Sequence, residues 1–356
     1  MASETLFENI PPFPDDIPTA PIASVSLVGL RKGDKVTAQS LLKACQTLGF
    51  FLLDLRGDDL GDSLVREIDQ LMGGVGKDVM GLPEDVKRRY HVDVPRSFEG
   101  FKLRGVGKTE TNEPDRFEWF NIGQDGLTGV GPVPPLPPLV QAHLPLFTSY
   151  LKHNQEIAST IQTTLATELG LPAYTFTSLN RPTEPTLSLV RLLKFEASSE
   201  AKDLRTALRH HTDIGTITLL ANVLGGLQVL KPGQSATDPN AWLWVRPRPR
   251  HLIVNLGDAM VQWTGGLLRS NTHRVTYSPG DQRFIDRYSM AYFLRPERNA
   301  RMKKLIGQGD DDNSDAANMT AWEWEFKKTM AFMTDEADNV LVNRRVVQDL
   351  EKDVMS

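Results

Sequence analysis

Apolar positions in the first third of the chain recur with helical spacing, interrupted by short runs that are apolar throughout. Leu41, Leu42, Cys45 and Leu48 predict a helix over about 37–48, stopped by Gly49. FFLLDL (Phe50–Leu55) then reads as a buried strand, and SVSLVGL (Ser24–Leu30) as a shorter one before the helix. Two further helices are expected near Leu60–Gly73 and Pro83–Tyr90, the second with proline in its first turn. Residues 1–23, rich in Pro and Asp, read as an extended arm. From about Ser97 to Leu139, Gly, Pro and short strand-like runs take over, ending in the proline-rich loop GPVPPLPPL. A long amphipathic helix is expected over about Leu139–Leu169, with Pro145 marking either a kink or the true start.

The pattern then changes period. LSLVRLLKF, IGTITLLAN, LQVL, WLWV, HLIVNL, HRVTYS and RYSMAYFL are short apolar or alternating runs separated by Gly, Pro, Asn and Asp. Such a series predicts an antiparallel β sandwich or barrel. After Pro296 the chain turns polar, and a helix is expected from about Ala316 onward. These shifts divide the chain into residues 1–96 (arm, strands and helices packing on the core), 97–300 (the β core with its long supporting helix) and 301–356 (a helical extension).

Composition narrows the function classes. Of the 356 residues, 40% are hydrophobic, enough for one large globular unit with a helical annex. A net charge of −5 with 24% charged residues gives no strong field of one sign, so neither nucleic acid nor an anionic membrane is expected as a partner. The single cysteine, Cys45, allows no internal disulfide and no cysteine-based metal site. The beginning MASETLFENIPPFPDDIP is acidic and proline-broken, so no signal peptide is expected. No apolar stretch approaches the ~20 residues of a membrane helix. A cytoplasmic protein is the resulting expectation. A small molecule is the expected partner, and a monomer is the default state, with a dimer compatible.

Histidine occurs only seven times, which makes its placement informative. His211-Thr212-Asp213 directly precedes the strand-like IGTITLLAN. Residues i and i+2 of an extended chain share a face, so one imidazole and one carboxylate can reach a common point. His273, in RSNTHRVTYS, is the candidate third ligand from another strand. Two histidines and one carboxylate bound facially leave open positions on a metal, the arrangement of non-haem Fe(II) oxygenases. Arg287-Tyr288-Ser289 follows, again with i and i+2 on one face. A guanidinium fork and a hydroxyl together suit a carboxylate such as the distal one of 2-oxoglutarate.

Each motif has a plain structural alternative. A lone histidine is more often a hydrogen-bonded structural residue, and a lone Arg-x-Ser a surface pair. The chain carries its own decoy, His91-Val92-Asp93, between a charged helix and Pro95, which reads as a surface turn. His210 should face away from His211 and either support the ligands from behind or serve packing. Trp242 and Trp244 alternate along a strand and read as packing or near-surface residues.

These residues resemble the isopenicillin N synthase-like Fe(II)/2-oxoglutarate dioxygenases, especially fungal and plant-type members. The resemblance runs from about Ile17 to Arg295. KACQTLGFFLLDLRG is similar to that family's N-terminal region. GFKLRG, PDRFEWFNIGQD, RHHTDIGTITLLAN, GGLQVL, VNLGDAMVQWTGGLLRSNTHRV and DRYSMAYFL are similar to its core signatures. The resemblance implies a mainly β fold with flanking helices, built on a double-stranded β-helix (jelly-roll) core. It implies Fe(II) at His211, Asp213 and His273, 2-oxoglutarate at Arg287 and Ser289, and O₂ as oxidant. The reaction implied is oxidation of an unactivated C–H bond, by hydroxylation, desaturation or cyclisation, in specialised metabolism.

One departure concerns the co-substrate. Plant-type members often carry Asn-x-Tyr on the strand before His-x-Asp, where this chain has Leu193-Lys194-Phe195. Phe195 keeps the ring and loses a hydroxyl donor worth ~1 kcal/mol net. The candidate substrate pocket comprises Phe98, Phe101, Arg104, Trp119, Phe195, Trp263 and Phe293, although aromatics in a sandwich are mostly core. Arg104 would suit an anionic or carbonyl group, or equally a surface ion pair. The rival readings are a same-fold oxidase that does not use 2-oxoglutarate, a hydrolase with Zn²⁺ at the same triad, and a catalytically silent binding protein.

Overall fold

The computed structural model describes residues 5–92, 97–107, 113–198, 200, 208–306 and 315–335. Among them are twelve strands: β1 (Ser24–Ser26), β2 (Phe50–Asp54), β3 (Gly100–Lys102), β4 (Phe117–Gly123), β5 (Leu189–Phe195), β6 (Leu208–His211), β7 (Ile217–Asn222), β8 (Leu227–Leu230), β9 (Trp242–Trp244), β10 (His251–Leu256), β11 (His273–Val275) and β12 (Arg287–Leu294). Eight of them form one sheet in the order β1-β2-β10-β7-β12-β5-β4-β3, and the other four form a second in the order β6-β11-β8-β9. Pairing between these strands is antiparallel except for β1 with β2. The strand-like runs of the second half thus become a two-sheet β core with flanking helices.

Alternation gives the large sheet two different faces. Its outer face carries Phe51, Leu53, Phe120, Ile122, Val190, Leu192, Leu219, Val254, Met290 and Tyr292, packed in one core with Phe147, Leu151, Ile157, Ile161 and Leu165 of the helix Leu144–Glu168. Its inner face carries Phe50, Leu52, Phe117, Phe195 and Ile253, which meet Leu227, Val229 and Val275 of the small sheet. The site lies between the sheets, at the polar end of this inner layer.

Several boundaries differ from the sequence expectation for local reasons. After Ser26 the chain forms a helical turn, Leu27–Arg31, because the Ser26 hydroxyl accepts the Gly29 N–H at 3.2 Å and caps it. The next helix spans Lys35–Thr47, capped by Asp34. Gly49 ends it at φ +72°, and a Cβ there would lie 2.3 Å from the Arg269 carbonyl oxygen, so only glycine makes this turn into β2. The helix Asp59–Gln70 passes through a π turn, Leu71–Val75, into Gly76–Met80, an element not foreseen. The expected helix at Pro83–Tyr90 is confined to Glu84–Arg88. Pro145 marks a start: Pro138–Ala142 is a separate short helix, and His143 breaks the chain before Leu144–Glu168. The C-terminal helix spans Ala321–Asp335, and the remainder of the helix expected to run to the end of the chain lies outside the described residues. No helix among the described residues is long and apolar enough to cross a membrane.

Candidate metal centre

The small sheet brings the two histidines together. His211 ends β6, and its register partner across the ladder is His273, which opens β11. Their rings lie 4.4 Å apart, centre to centre, at 53°. Asp213 follows in the connection to β7, and its Oδ1 is 3.8 Å from the Nε2 of each histidine. One donor atom from each residue lies within 4.8 Å of the others.

The surroundings commit the remaining polar atoms. Nδ1 of His211 faces the Arg209 carbonyl oxygen at 2.9 Å, and Nδ1 of His273 faces that of Asn271 at 3.1 Å. A carbonyl only accepts, so both Nδ1 atoms carry protons, and Nε2 is the nitrogen each ring offers to the site. Oδ2 of Asp213 accepts from Thr218 Oγ1 at 2.6 Å and from Asn255 Nδ2 at 2.7 Å, leaving Oδ1 to face the histidines. Phe50 packs edge-on against His273 at 5.5 Å.

Electrostatics agree with this division. Burial, with repulsion from His273, pushes the His211 imidazole down to about 4, so it is neutral near pH 7. Burial would raise Asp213, but the two histidines, Asn255 and Thr218 outweigh it and hold the carboxyl below its usual range. Two imidazoles and one carboxylate, converging through one atom each, fit a divalent metal of the non-haem iron type.

The loop bearing Asp213 is also fastened from outside. Asp258 N–H donates to the Asp213 carbonyl oxygen at 2.8 Å. Asp258 Oδ2 accepts from Thr212 Oγ1 at 3.1 Å and from Lys328 Nζ of the C-terminal helix at 2.6 Å.

On the same inner face, β12 presents Arg287 and Ser289, each 3% exposed. Arg287 Nε donates to the Gly225 carbonyl at 2.9 Å, and Nη1 to Ser289 Oγ at 3.1 Å. Its guanidinium carbon lies 5.1 Å from the Phe195 ring centre, and that ring stacks on Phe117 at 5.1 Å. Arg287 forms no ion pair with a described carboxylate. Burial alone pushes it down to about 10, so it remains a cation at neutral pH, a costly state unless an anion arrives.

The expected pocket residues separate into two groups. Trp119, Phe195 and Phe293 lie on the inner face, and Phe98 lines a cavity beside it. Phe101, Trp263 and Arg104 do not reach the site, which corrects the expectation. Phe101 pairs with Phe120 across β3 and β4, and so turns into the outer core, its ring 4.4 Å from that of Phe120. Trp263 is buried on the helix Asp258–Thr264, with Nε1 donating to the Arg301 carbonyl at 3.1 Å. Arg104 has a side chain 57% exposed and is bonded to Glu196 at 2.5 Å. Trp242 is buried, and Arg274 covers its ring. His210 is exposed and turned toward Trp242, 6.2 Å between ring centres. In the decoy, His91 forms an isolated bridge with Phe101, and Asp93 lies outside the described residues. Sequence reasoning missed Thr218 and Asn255, whose signal is their register pairing on β7 and β10.

Comparison with known proteins agrees with this geometry. Residues 188–296 match the model of the 2OG-Fe(II) oxygenase superfamily. Residues 20–132 match that of the non-haem dioxygenase in morphine synthesis N-terminal region. A 2-oxoglutarate-dependent dioxygenase of Aspergillus fumigatus is 28% identical over 88% of this chain and 86% of its own. The 2-oxoglutarate-dependent dioxygenase frbH of a Dothideomycetidae species is 30% identical over 81% of this chain and 85% of its own. A Neurospora crassa protein, solved in complex with alpha-KG and thymine, shares the fold with a TM-score of 0.69 at 20% identity, covering 87% of this chain and 97% of that one.

Proposed function

This chain belongs to the Fe(II)- and 2-oxoglutarate-dependent dioxygenases with a jelly-roll core, and on that premise we propose that His211, Asp213 and His273 hold the iron while Arg287 and Ser289 hold the co-substrate. The observation that carries the assignment is the commitment of the other polar atoms: both Nδ1 atoms and Oδ2 of Asp213 are occupied, and the remaining three donor atoms converge.

Bound Fe(II), with 2-oxoglutarate and O₂, supplies an oxidant able to break an unactivated C–H bond, with decarboxylation of the oxo acid to succinate and CO₂. The protein's own residues position and insulate. The two carbonyl-bound Nδ1–H groups fix the tautomer and the tilt of the imidazoles. Thr218 and Asn255 hold Oδ2 of Asp213, so that Oδ1 would be the oxygen offered to a bound metal. Arg287 neutralises the distal carboxylate of the co-substrate, and Ser289 shares it. Phe195 contributes a face beneath the guanidinium in place of a hydroxyl. Phe50, Phe117, Leu227, Val229 and Val275 surround the site with apolar surface and exclude water. The substrate is a small organic molecule, and we place the reaction in specialised metabolism, in line with the N-terminal match.

Anaerobic addition of Fe(II) and 2-oxoglutarate should produce the weak visible charge-transfer band of the chelate. His211→Ala and His273→Ala should abolish it, and an unchanged band in both variants overturns the ligand assignment. Oxidation of 2-oxoglutarate to succinate separates this reading from an oxidase that does without it.

A further inference from the structure

The assignment above uses the fully buried one of two guanidiniums on the inner face of the large sheet. The other is Arg191 on β5. Its register partner is Ala291, two positions beyond Ser289 on β12. It lies four positions from Phe195, the partner of Arg287, which puts the two cations roughly 13 Å apart along the sheet. Phe293, beside Arg191, pairs across β7 with Thr218, the residue that holds Asp213. Arg191 is near enough for its charge to act on both His211 and Asp213.

The guanidinium is fixed but not neutralised. Its Nε donates to Asn121 Oδ1 at 2.8 Å. Its carbon lies 4.5 Å from the Trp119 ring centre and 5.0 Å from that of Phe293. With Nε committed to Asn121 and two rings close to the guanidinium, the Nη groups remain to meet an acceptor. No described carboxylate pairs with it. Arg295, which lines the same cavity, contrasts with it, since Glu325 pairs with Arg295 at 2.9 Å. Burial, followed by repulsion from Arg295, pushes Arg191 down to about 10, so it too stays charged near neutral pH. The cavity holds about 130 Å³ and runs from Arg191 past Leu189 and Phe98 to Trp322 and Phe326 of the C-terminal helix. That is well below the roughly 300 Å³ at which pockets for drug-sized ligands begin, so it suits one compact group.

Resting on the site assignment above, we propose that Arg191 anchors the substrate by its carboxylate, which makes the substrate a small organic acid. A carbonyl oxygen would accept the hydrogen bonds and leave the half-buried charge standing, whereas a carboxylate matches the fork and cancels it. Glu99 and Asp125 line the same cavity and would oppose a doubly charged phosphate more strongly than a singly charged carboxylate.

The test uses hexanoate, benzoate and phenylacetate, each beside its primary amide. They are titrated calorimetrically, without oxygen, into the protein loaded with Fe(II) and saturating 2-oxoglutarate. At least one acid should bind about tenfold or more tightly than its amide, the advantage expected of a charge-assisted pair. Arg191→Met should erase that preference while 2-oxoglutarate affinity stays unchanged, and Arg191→Lys should restore part of it. Equal binding of acids and amides, no binding of any acid, or an acid preference that survives in Arg191→Met overturns the proposal. So does an Arg191→Met variant that loses 2-oxoglutarate as severely as Arg287→Met, since Arg191 would then belong to the co-substrate clamp. If Arg191→Met does not fold, the acid-to-amide ratio of the unaltered protein and of Arg191→Lys decides. Failure of the underlying assignment registers separately, as 2-oxoglutarate affinity that does not respond to Arg287→Met.

Discussion

The two sheets contribute different chemistry to the space between them. The small sheet supplies nitrogen ligands, His211 on β6 and His273 on β11, each oriented by a backbone carbonyl two residues back. The large sheet supplies charge and proton donors: Arg191, Thr218, Asn255, Arg287 and Ser289. Asp213 belongs to neither and is divided between them, one oxygen toward the imidazoles and the other held by Thr218 and Asn255. A metal should therefore depend on both sheets, whereas the co-substrate carboxylate should depend on the large sheet alone. Burial in the two regions also acts with opposite result. It keeps His211 uncharged, yet leaves Arg287 and Arg191 charged, because an arginine displaced to about 10 still keeps its proton at neutral pH.

The strongest disruption should come from the residue shared by both sheets. Asp213→Ala removes the only anionic ligand, and calorimetry should show no saturable Fe(II) binding and no succinate formation. Wild-type Fe(II) affinity in that variant would break the comparison at its centre. Arg287→Met comes next, with 2-oxoglutarate affinity lowered about 100-fold, the loss typical of truncating one partner of a buried charge pair, and Fe(II) affinity unchanged. A parallel loss of both would mean that the large sheet does not act separately. Asn255→Ala and Thr218→Val should each weaken Fe(II) by about 10–100-fold, as removal of outer partners of metal ligands does. The double variant should fall short of the product, since both donors hold one oxygen.

The mildest effect concerns proton uptake by the metal-free protein. His211 has a folded-state value of about 4 against an ordinary value of 6.5, so the unfolded chain binds the proton first as pH falls. The depressed value means that this contribution to stability is present above about 6.5 and is lost on descending toward 4. The thermal midpoint of the metal-free protein should fall across that interval, and His211→Gln should flatten the fall. An equally steep fall in the variant would assign the acid sensitivity elsewhere.

How much of this was legible in the sequence depended on the range of the signal. His211-Thr212-Asp213 could be read because i and i+2 share a face on any extended segment, and His273 because it is a scarce residue on another strand. Arg287 and Ser289 followed by the same rule. The errors came from faces that alternation alone does not label. Phe101 is one residue out of phase with Gly100 and Lys102, which share the Trp119 and Asn121 side, and only pairing with β4 shows that it turns to the outer core. Arg191 was invisible within LSLVRLLKF, since a lone arginine in a strand is unremarkable until its neighbours prove to be rings and an amide instead of a carboxylate. Thr218 and Asn255 act on Asp213 through strand pairing, and no local pattern encodes that. Ser24–Leu30 read as a strand because its apolar residues carry no label for the cap that Ser26 provides.

Asp258 bears on how readily this molecule could be recombined. One of its oxygens holds Thr212, next to Asp213, and also Lys328 of the helix whose Trp322 and Phe326 line the cavity. A wall of the pocket and the loop of the metal triad are thus wired to a single atom, and they are not independent modules. Exchanging the C-terminal helix for one of different shape, to admit a different substrate, would also remove a partner from the metal-bearing loop. A chimera that keeps a lysine at position 328 preserves that connection, and one that does not must find another cation for Asp258.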